Sequence, residues 1–229
     1  MFPPIDPAML LIWLVVSIMA ITFHEAAHGL VAYWRGDNTA YMLGRVTANP
    51  IPHIDPIGTI GLPVLMLMIG IPFVFGWAKP VPVNYRNLKS VRRDSLLVAA
   101  AGPGANILLA LCFVLAMRFV LPFVPESYAE TTARFLAVGF TLNLVFAVFN
   151  MLPFPPLDGS KVLMAVLPAR GANYLARLER HGLIIILILL FVLPWLLQQV
   201  GIAYNPIDVL VRQPVMALSE WMGGLVGLK

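Results

Sequence analysis

The sequence predicts an all-α polytopic membrane protein, and three observations support that prediction. Of its 229 residues, 60% are hydrophobic and only 11% are charged, compared with roughly 25% charged in soluble domains. Several apolar runs reach the roughly 20 residues that a helix needs to cross a bilayer. The 15 basic residues outnumber the 11 acidic ones and fall mainly between the apolar runs, where they set membrane topology rather than bind nucleic acid.

Four apolar runs are the clearest spans, namely residues 8–34, 94–121, 133–152 and 183–200. Residues 207–227 form either a further span or an interfacial helix, because Asp208, Arg212 and Glu220 interrupt the run. We therefore expect five or six transmembrane helices. The gaps between them leave no room for a soluble domain, so residues 1–229 should form a single membrane-embedded domain.

Two segments between the first spans break the helical pattern. Residues 39–47, TAYMLGRVT, favour a small membrane-associated β segment. Residues 57–76 are apolar enough to cross the bilayer, but six glycines and prolines interrupt the run. A straight helix is therefore not expected in either segment.

The charges of the loops orient the spans. Residues 77–93 hold five basic side chains and no acidic one, and residues 153–182 are also rich in Lys and Arg, which places both segments on the cytoplasmic side. The acidic connection at residues 122–132 belongs outside. The first span then runs inward, and residues 57–76 begin and end on the same side, so we expect them to be re-entrant.

The first span carries the polar sequence HEAAH at residues 24–28. His24 and His28 are one helical turn apart, so their imidazoles can hold one zinc ion, while Glu25 lies beside them and can act as a base toward water. Ionisable groups are costly inside a bilayer and are usually functional there. The pattern indicates metal-assisted hydrolysis. A polar cluster between helices and metal transport are the alternatives, but transport calls for ionisable groups along the other spans, which have almost none.

A catalytic zinc site needs a third protein ligand. Asp158 follows the proline-rich residues 153–156 and lies at the entrance of a new helix that starts near Ser160, so it is either that ligand or an N-cap or Asx-turn residue. The loop charges place it near the same membrane face as the histidines, which favours the ligand. His53 and Asp55 could supply a ligand, support the ligands or bind substrate, or be ordinary turn residues.

Three asparagines lie in the later spans. Asn150, eight residues before Asp158, is either a donor to an oxyanion or substrate carbonyl, or a helix-packing residue. Asn143 lies one heptad earlier, and Asn106 lies in the preceding span. Both are most simply explained as polar contacts between helices, although Asn143 is also a candidate for supporting the ligands or binding substrate.

These motifs resemble those of the site-2 protease family of intramembrane zinc metalloproteases. HEAAH, then GPGAN at residues 102–106 and NMLPFPPLDG at residues 150–159, resemble the family's HExxH and LDG signatures in the family's order. NPIPHIDPIGT at residues 49–59 and GWAKPVPVN at residues 76–84 are similar to compact members that lack a PDZ domain. The resemblance covers about residues 8–170.

The resemblance implies a three-helix catalytic core within residues 8–170, followed by C-terminal helices at residues 183–227. It implies one zinc ion per chain, held by His24, His28 and Asp158, with Glu25 as general base and acid. Its expected substrates are transmembrane segments of membrane proteins, cleaved in regulated intramembrane proteolysis or signal-peptide clearance. The protein would then be a multi-pass protein of the cell membrane with its active site toward the cytoplasm.

Overall fold

Three long helices form the centre of the protein. The computed structural model describes residues 6–62, 65, 76–201 and 205–228. Helices α1 (Pro7–Trp34), α3 (Val91–Phe119) and α4 (Glu126–Asn150) are each long and apolar enough to cross a membrane. The short helix α2 (Thr39–Met42) follows α1. The all-helical membrane fold is thus confirmed for the described residues.

The remaining helices are shorter. Helix α5 (Asp158–Val166) follows the proline-rich turn after α4, and α6 (Ala169–Leu178) comes next. Helix α7 (Gly182–Leu187) continues through a π-helical stretch at Ile188–Val192 into α8 (Leu193–Gln199). A second π-helical stretch at Asp208–Arg212 leads into α9 (Gln213–Leu225). The two predicted C-terminal spans are therefore helical but interrupted, and a total of five or six spans remains a prediction.

Apolar side chains hold α3 between α1 and α4. Phe113 and Val114 of α3 are buried against Phe140 and Leu144 of α4 in the main core. Gly139 makes this packing possible, because a Cβ there would lie 2.3 Å from the Phe113 ring. A smaller cluster joins α1 to α4 through their buried aliphatic residues. Between membrane-spanning helices such side chains contribute mainly through van der Waals packing, because the surrounding lipid is as apolar as they are.

The β segment predicted at residues 39–47 is wrong for this structure. Residues Thr39–Met42 form α2, turns follow, and no strand occurs among the described residues. The buried carboxylate of Asp37 accepts hydrogen bonds from the backbone N–H and the hydroxyl of Thr39, which fixes the turn that precedes this helix. Within the described parts of the chain the segment has no neighbouring strand with which to pair, so its β-favouring residues have no sheet to join there.

The predicted re-entrant segment lies mostly outside the described residues. Its first residues, Pro56–Gly61, form a π-helical turn. Beyond the segment, the Trp77 N–H donates to the Gly58 carbonyl at 3.2 Å, and the Thr59 hydroxyl donates to the Trp77 carbonyl at 2.8 Å. The two ends of the segment therefore lie side by side, as the ends of a hairpin do.

Candidate metal centre

Helix α1 brings the two histidines of HEAAH together. His24 and His28 are both buried, and their rings meet edge to face with centroids 4.7 Å apart. The two Nε2 atoms are 3.1 Å apart. This is the arrangement that the four-residue spacing predicts for a helix.

Asp158, the first residue of α5, completes a cluster of three possible ligands. Its Oδ2 atom lies 3.1 Å from His24 Nε2 and 3.1 Å from His28 Nε2. Gly159 allows this approach, because a Cβ at that position would lie 2.2 Å from the Met151 carbonyl oxygen at the end of α4. His24, His28 and Asp158 together could hold a metal ion.

The protonation of the histidines follows from their other ring nitrogens. His28 Nδ1 lies 2.7 Å from the Val98 carbonyl, which can only accept, so Nδ1 carries the proton. His24 Nδ1 lies 2.6 Å from Asn106 Oδ1. The Asn106 amide nitrogen donates to the Ala20 carbonyl, which identifies the oxygen facing His24 and again puts the proton on Nδ1. A neutral imidazole with its proton on Nδ1 presents the lone pair of Nε2, so the two Nε2 atoms and the Asp158 carboxylate can together bind one cation.

The distances fit a zinc ion. Ligand atoms at about 2.0–2.1 Å from a tetrahedral zinc are roughly 3.3 Å apart, close to the observed separations of 3.1 Å. Two imidazole nitrogens and one carboxylate oxygen are also a known donor set of catalytic zinc, which leaves a fourth position for water or substrate.

Gly102 of α3 lines this site. A Cβ at Gly102 would lie 2.4 Å from His28 Nε2 and 2.6 Å from His24 Nε2. Only a glycine therefore lets the backbone of α3 approach the two ligand atoms this closely. Gly104, two residues later, has nothing within 4 Å of such a Cβ.

Charged groups flank the Asp158 carboxylate. Burial acts to raise the pKa of Asp158, whereas the nearby positive charge of Lys161 acts to lower it. Lys161 Nζ lies 3.4 Å from Asp158 Oδ1, the oxygen that does not face the histidines. The Lys161 charge thus favours the ionised form of Asp158, which is the form that binds a metal.

Glu25 is oriented by a segment distant in the sequence. Its Oε2 atom accepts a hydrogen bond of 2.7 Å from the backbone N–H of Val81. Val81 lies in the extended stretch at residues 77–84, which also receives a bond from the Arg45 guanidinium at the Lys79 carbonyl. Glu25 does not join the three ligand atoms, which leaves its carboxylate available for a different task.

His53 and Asp55 behave as residues of a turn. Asp55 caps the π-helical turn at Pro56–Gly61, accepting from the N–H groups of Ile57 and Gly58. His53 is buried, and its Nε2 lies 3.1 Å from the Thr47 carbonyl. Burial lowers the pKa of His53 and the charge of Arg45 lowers it further, against the raising effects of the Thr47 bond and of Glu25. Neither residue belongs to the ligand cluster among the described residues.

The asparagines have different surroundings. The Asn150 amide donates to the Phe146 carbonyl of its own helix at 3.0 Å. Asn143 donates to the Gly139 carbonyl and accepts from Asn106, which in turn bonds to His24. Asn143 is thus linked to His24 through the Asn106 side chain.

Sequence reasoning treated Asn106 only as a contact between helices and missed its role in orienting His24. The signal was present in the GPGAN motif, because Gly102 and Asn106 are four residues apart and share the face of α3 that meets HEAAH.

Comparison with known proteins now assigns the class. Residues 119–193 match the model of peptidase family M50, the family of the site-2 proteases. The chain belongs to this family and is a membrane zinc metallopeptidase.

Two bacterial relatives illustrate the similarity. A putative zinc metalloprotease of Bacillus subtilis, YwhC, is 40% identical over 192 residues, which cover 82% of this chain and 84% of the relative. Rip2 of Mycolicibacterium smegmatis, also called a putative zinc metalloprotease, is 30% identical over 173 residues, 76% of this chain and 64% of that protein. No solved structure matches the chain.

Proposed function

We propose that this protein hydrolyses peptide bonds within or near transmembrane segments of membrane proteins, using one zinc ion held by His24, His28 and Asp158. One observation carries the proposal most directly. Three acceptor atoms, each 3.1 Å from the others, converge beside Glu25 where two apolar helices and α5 meet. A metal site that served only the fold would have no need of a carboxylate base beside its ligands.

Different residues of the chain are proposed to orient the ligands and to transfer the proton during hydrolysis. When bound, zinc acts as a Lewis acid that polarises a carbonyl and lowers the pKa of water. Asn106 and the Val98 carbonyl hold His24 and His28 in the tautomer that exposes Nε2. Glu25 takes a proton from the attacking water and returns it to the leaving amine. The Val81 N–H fixes one carboxylate oxygen of Glu25 and leaves the other for this exchange.

Asn150 is proposed as a donor to the developing oxyanion or to the backbone of the substrate. Its position before the proline-rich turn that presents Asp158 supports this role. Because its amide donates to Phe146 in this conformation, the role requires the Asn150 side chain to rotate when substrate arrives.

The site is proposed to lie toward the cytoplasmic face of the cell membrane. The basic residues between 77 and 93 support this orientation. The contact of Gly58 and Thr59 with Trp77 supports a re-entrant path for the segment between them, since both of its ends then lie on one side. The proposed substrates are transmembrane segments of signalling proteins and leftover signal peptides. We propose that residues 1–229 form a single membrane-embedded domain.

The test compares cells that carry the wild-type protein, Glu25→Gln or Glu126→Gln. Glu126 is exposed at the start of α4 and serves as the matched control. Membrane-embedded peptide fragments are quantified by mass spectrometry, and zinc is measured in each purified protein. We expect Glu25→Gln to keep its zinc and to accumulate fragments that the other two proteins remove. Equal fragment levels in all three would contradict the proposal, as would fragment removal by Glu25→Gln.

A further inference from the structure

The first turn of α3 contacts both helices that carry the ligand residues. The Arg92 guanidinium donates to three successive carbonyls at the end of α5, through Nε to Ala165 and through Nη2 to Val166 at 2.8 Å and Leu167 at 2.7 Å. Two residues later, Asp94 contacts the end of α1. The ends of α1 and α5 are thus both attached to one turn of one helix.

Arg92 satisfies groups that α5 cannot satisfy itself. The last carbonyls of a helix have no partner within the helix and carry the negative end of its dipole. A guanidinium presents several N–H donors in a planar fork and remains charged, so it suits three adjacent carbonyls. Most helix C-termini are closed by their own chain, often with a glycine. The closure of α5 comes instead from a residue 73 to 75 positions away.

Helix α5 needs such external support. It spans only Asp158–Val166, and an isolated helix shorter than about 12–15 residues is marginal in water. Its ligand, Asp158, is the first residue, and the Arg92 contacts are at the last turn. Because Asp158 and the Arg92 contacts lie at opposite ends of this nine-residue helix, a change in its tilt at one end moves the carboxylate at the other end.

Asp94 provides the second attachment. It is fully buried, and its Oδ1 atom lies 2.6 Å from Arg35 Nη2 while its Oδ2 accepts from the Ser90 N–H. Arg35 is the residue at which α1 ends, seven positions after His28. The backbone N–H of Lys89 also donates to the Arg35 carbonyl. The ends of the two ligand-bearing helices are therefore both attached to the N-cap and first turn of α3.

We propose that Arg92 is a positioning residue for the zinc site, because it holds α5 at the tilt that brings Asp158 Oδ2 against His24 and His28. The inference rests on the proposed ligand set. It assigns no contact between Arg92 and zinc or substrate. Its predicted consequence is a change in zinc affinity, independent of any cleavage assay.

The test measures the zinc affinity of the full chain in detergent by competition with a chelator of known affinity. Arg93 is the matched control, since it is adjacent, exposed and makes no hydrogen bond or ion pair among the described residues. We expect Arg92→Ala to weaken zinc binding about tenfold, as loss of support for a ligand does. Arg92→Lys should fall between Arg92→Ala and wild type, because an ammonium cannot reach three carbonyls at once. Arg93→Ala should bind as wild type.

Two further measurements separate the possible failures. Thermal unfolding of each zinc-loaded variant detects a global loss of structure, and if Arg92→Ala does not fold, Arg92→Lys decides the question. The inference is overturned if the folded Arg92 variants bind zinc as tightly as wild type, or if Arg93→Ala weakens binding equally. Asp158→Ala is measured alongside. Retention of zinc by that variant would refute the ligand set itself, whatever the result for Arg92.

Discussion

Two proline-rich turns of this protein each present an aspartate, and the two aspartates serve different purposes. Residues 50–58 contain Asp55, and residues 152–160 contain Asp158. The Asp55 carboxylate accepts hydrogen bonds from the next two backbone N–H groups of its own turn. The Asp158 carboxylate instead faces two histidines that precede it by 130 and 134 residues. The same local sequence signal thus yields a cap in one turn and a candidate metal ligand in the other.

The difference lies outside the turns. Asp158 begins α5 and faces the two histidines of α1, while Asp55 caps its own helical turn and accepts from backbone N–H groups. A carboxylate can act as a metal ligand where the lone pairs of other side chains converge on it, because a bound cation stabilises such a group of acceptor atoms. The following predictions test this contrast in order of decreasing effect.

Substitution of Asp158 by alanine should have the largest effect on zinc binding. Asp158→Ala removes one of three ligand atoms, so we expect loss of stoichiometric zinc and of proteolysis, well beyond the roughly 10–100-fold effects of residues that support ligands. Asp55→Ala should keep its zinc. Metal analysis of both purified proteins checks the pair, and equal zinc contents in the two would remove the distinction between the turns.

Substitution of Gly102 should be nearly as severe. The Cβ of Gly102→Ala would lie within 2.6 Å of both histidine Nε2 atoms, so the ligands must shift and zinc should be lost. Gly104→Ala adds the same methyl group to the same helix with nothing within 4 Å and should bind zinc normally. If the two alanine variants bind zinc alike, α3 does not form a wall of the site as described.

Removal of the Asn106 side chain should have an intermediate effect. Asn106→Ala frees His24 Nδ1 from its acceptor, so the ring can rotate or adopt the other tautomer. We expect zinc affinity to fall by about 10–100-fold, measured by chelator competition. Unchanged affinity would show that His24 is held in place without Asn106.

The smallest effect is expected for the stability of Asp55→Ala. Loss of its N-cap bonds should lower the free energy of unfolding by about 1 kcal/mol, measured by denaturant unfolding in detergent. A stability equal to wild type would mean that the Asp55 bonds contribute nothing net. A large loss of activity at normal zinc content would instead indicate that Asp55 binds substrate.

The sequence predicted the parts of the site that depend on local geometry. His24, His28 and Glu25 follow from helical spacing within five residues, and the three long helices follow from the apolar runs. Asp158 needed the family resemblance, since its own turn is equally compatible with a cap. The expected β segment failed because Thr39–Met42 form a helix and the described residues contain no strand with which the segment could pair. The contacts of Asn106, Val81 and Arg92 join segments that are 56 to 82 residues apart, and no periodicity in a single chain encodes them.

X-ray absorption at the zinc edge tests the central claim most directly. For the purified wild-type protein we expect one zinc per chain, with two imidazoles and oxygen ligands at about 2.0–2.2 Å. Glu25→Gln should give the same two-imidazole pattern, and His28→Ala should lose it. A sulfur ligand at about 2.3 Å, or a zinc spectrum that persists unchanged in His28→Ala and Asp158→Ala, would contradict the site formed by His24, His28 and Asp158.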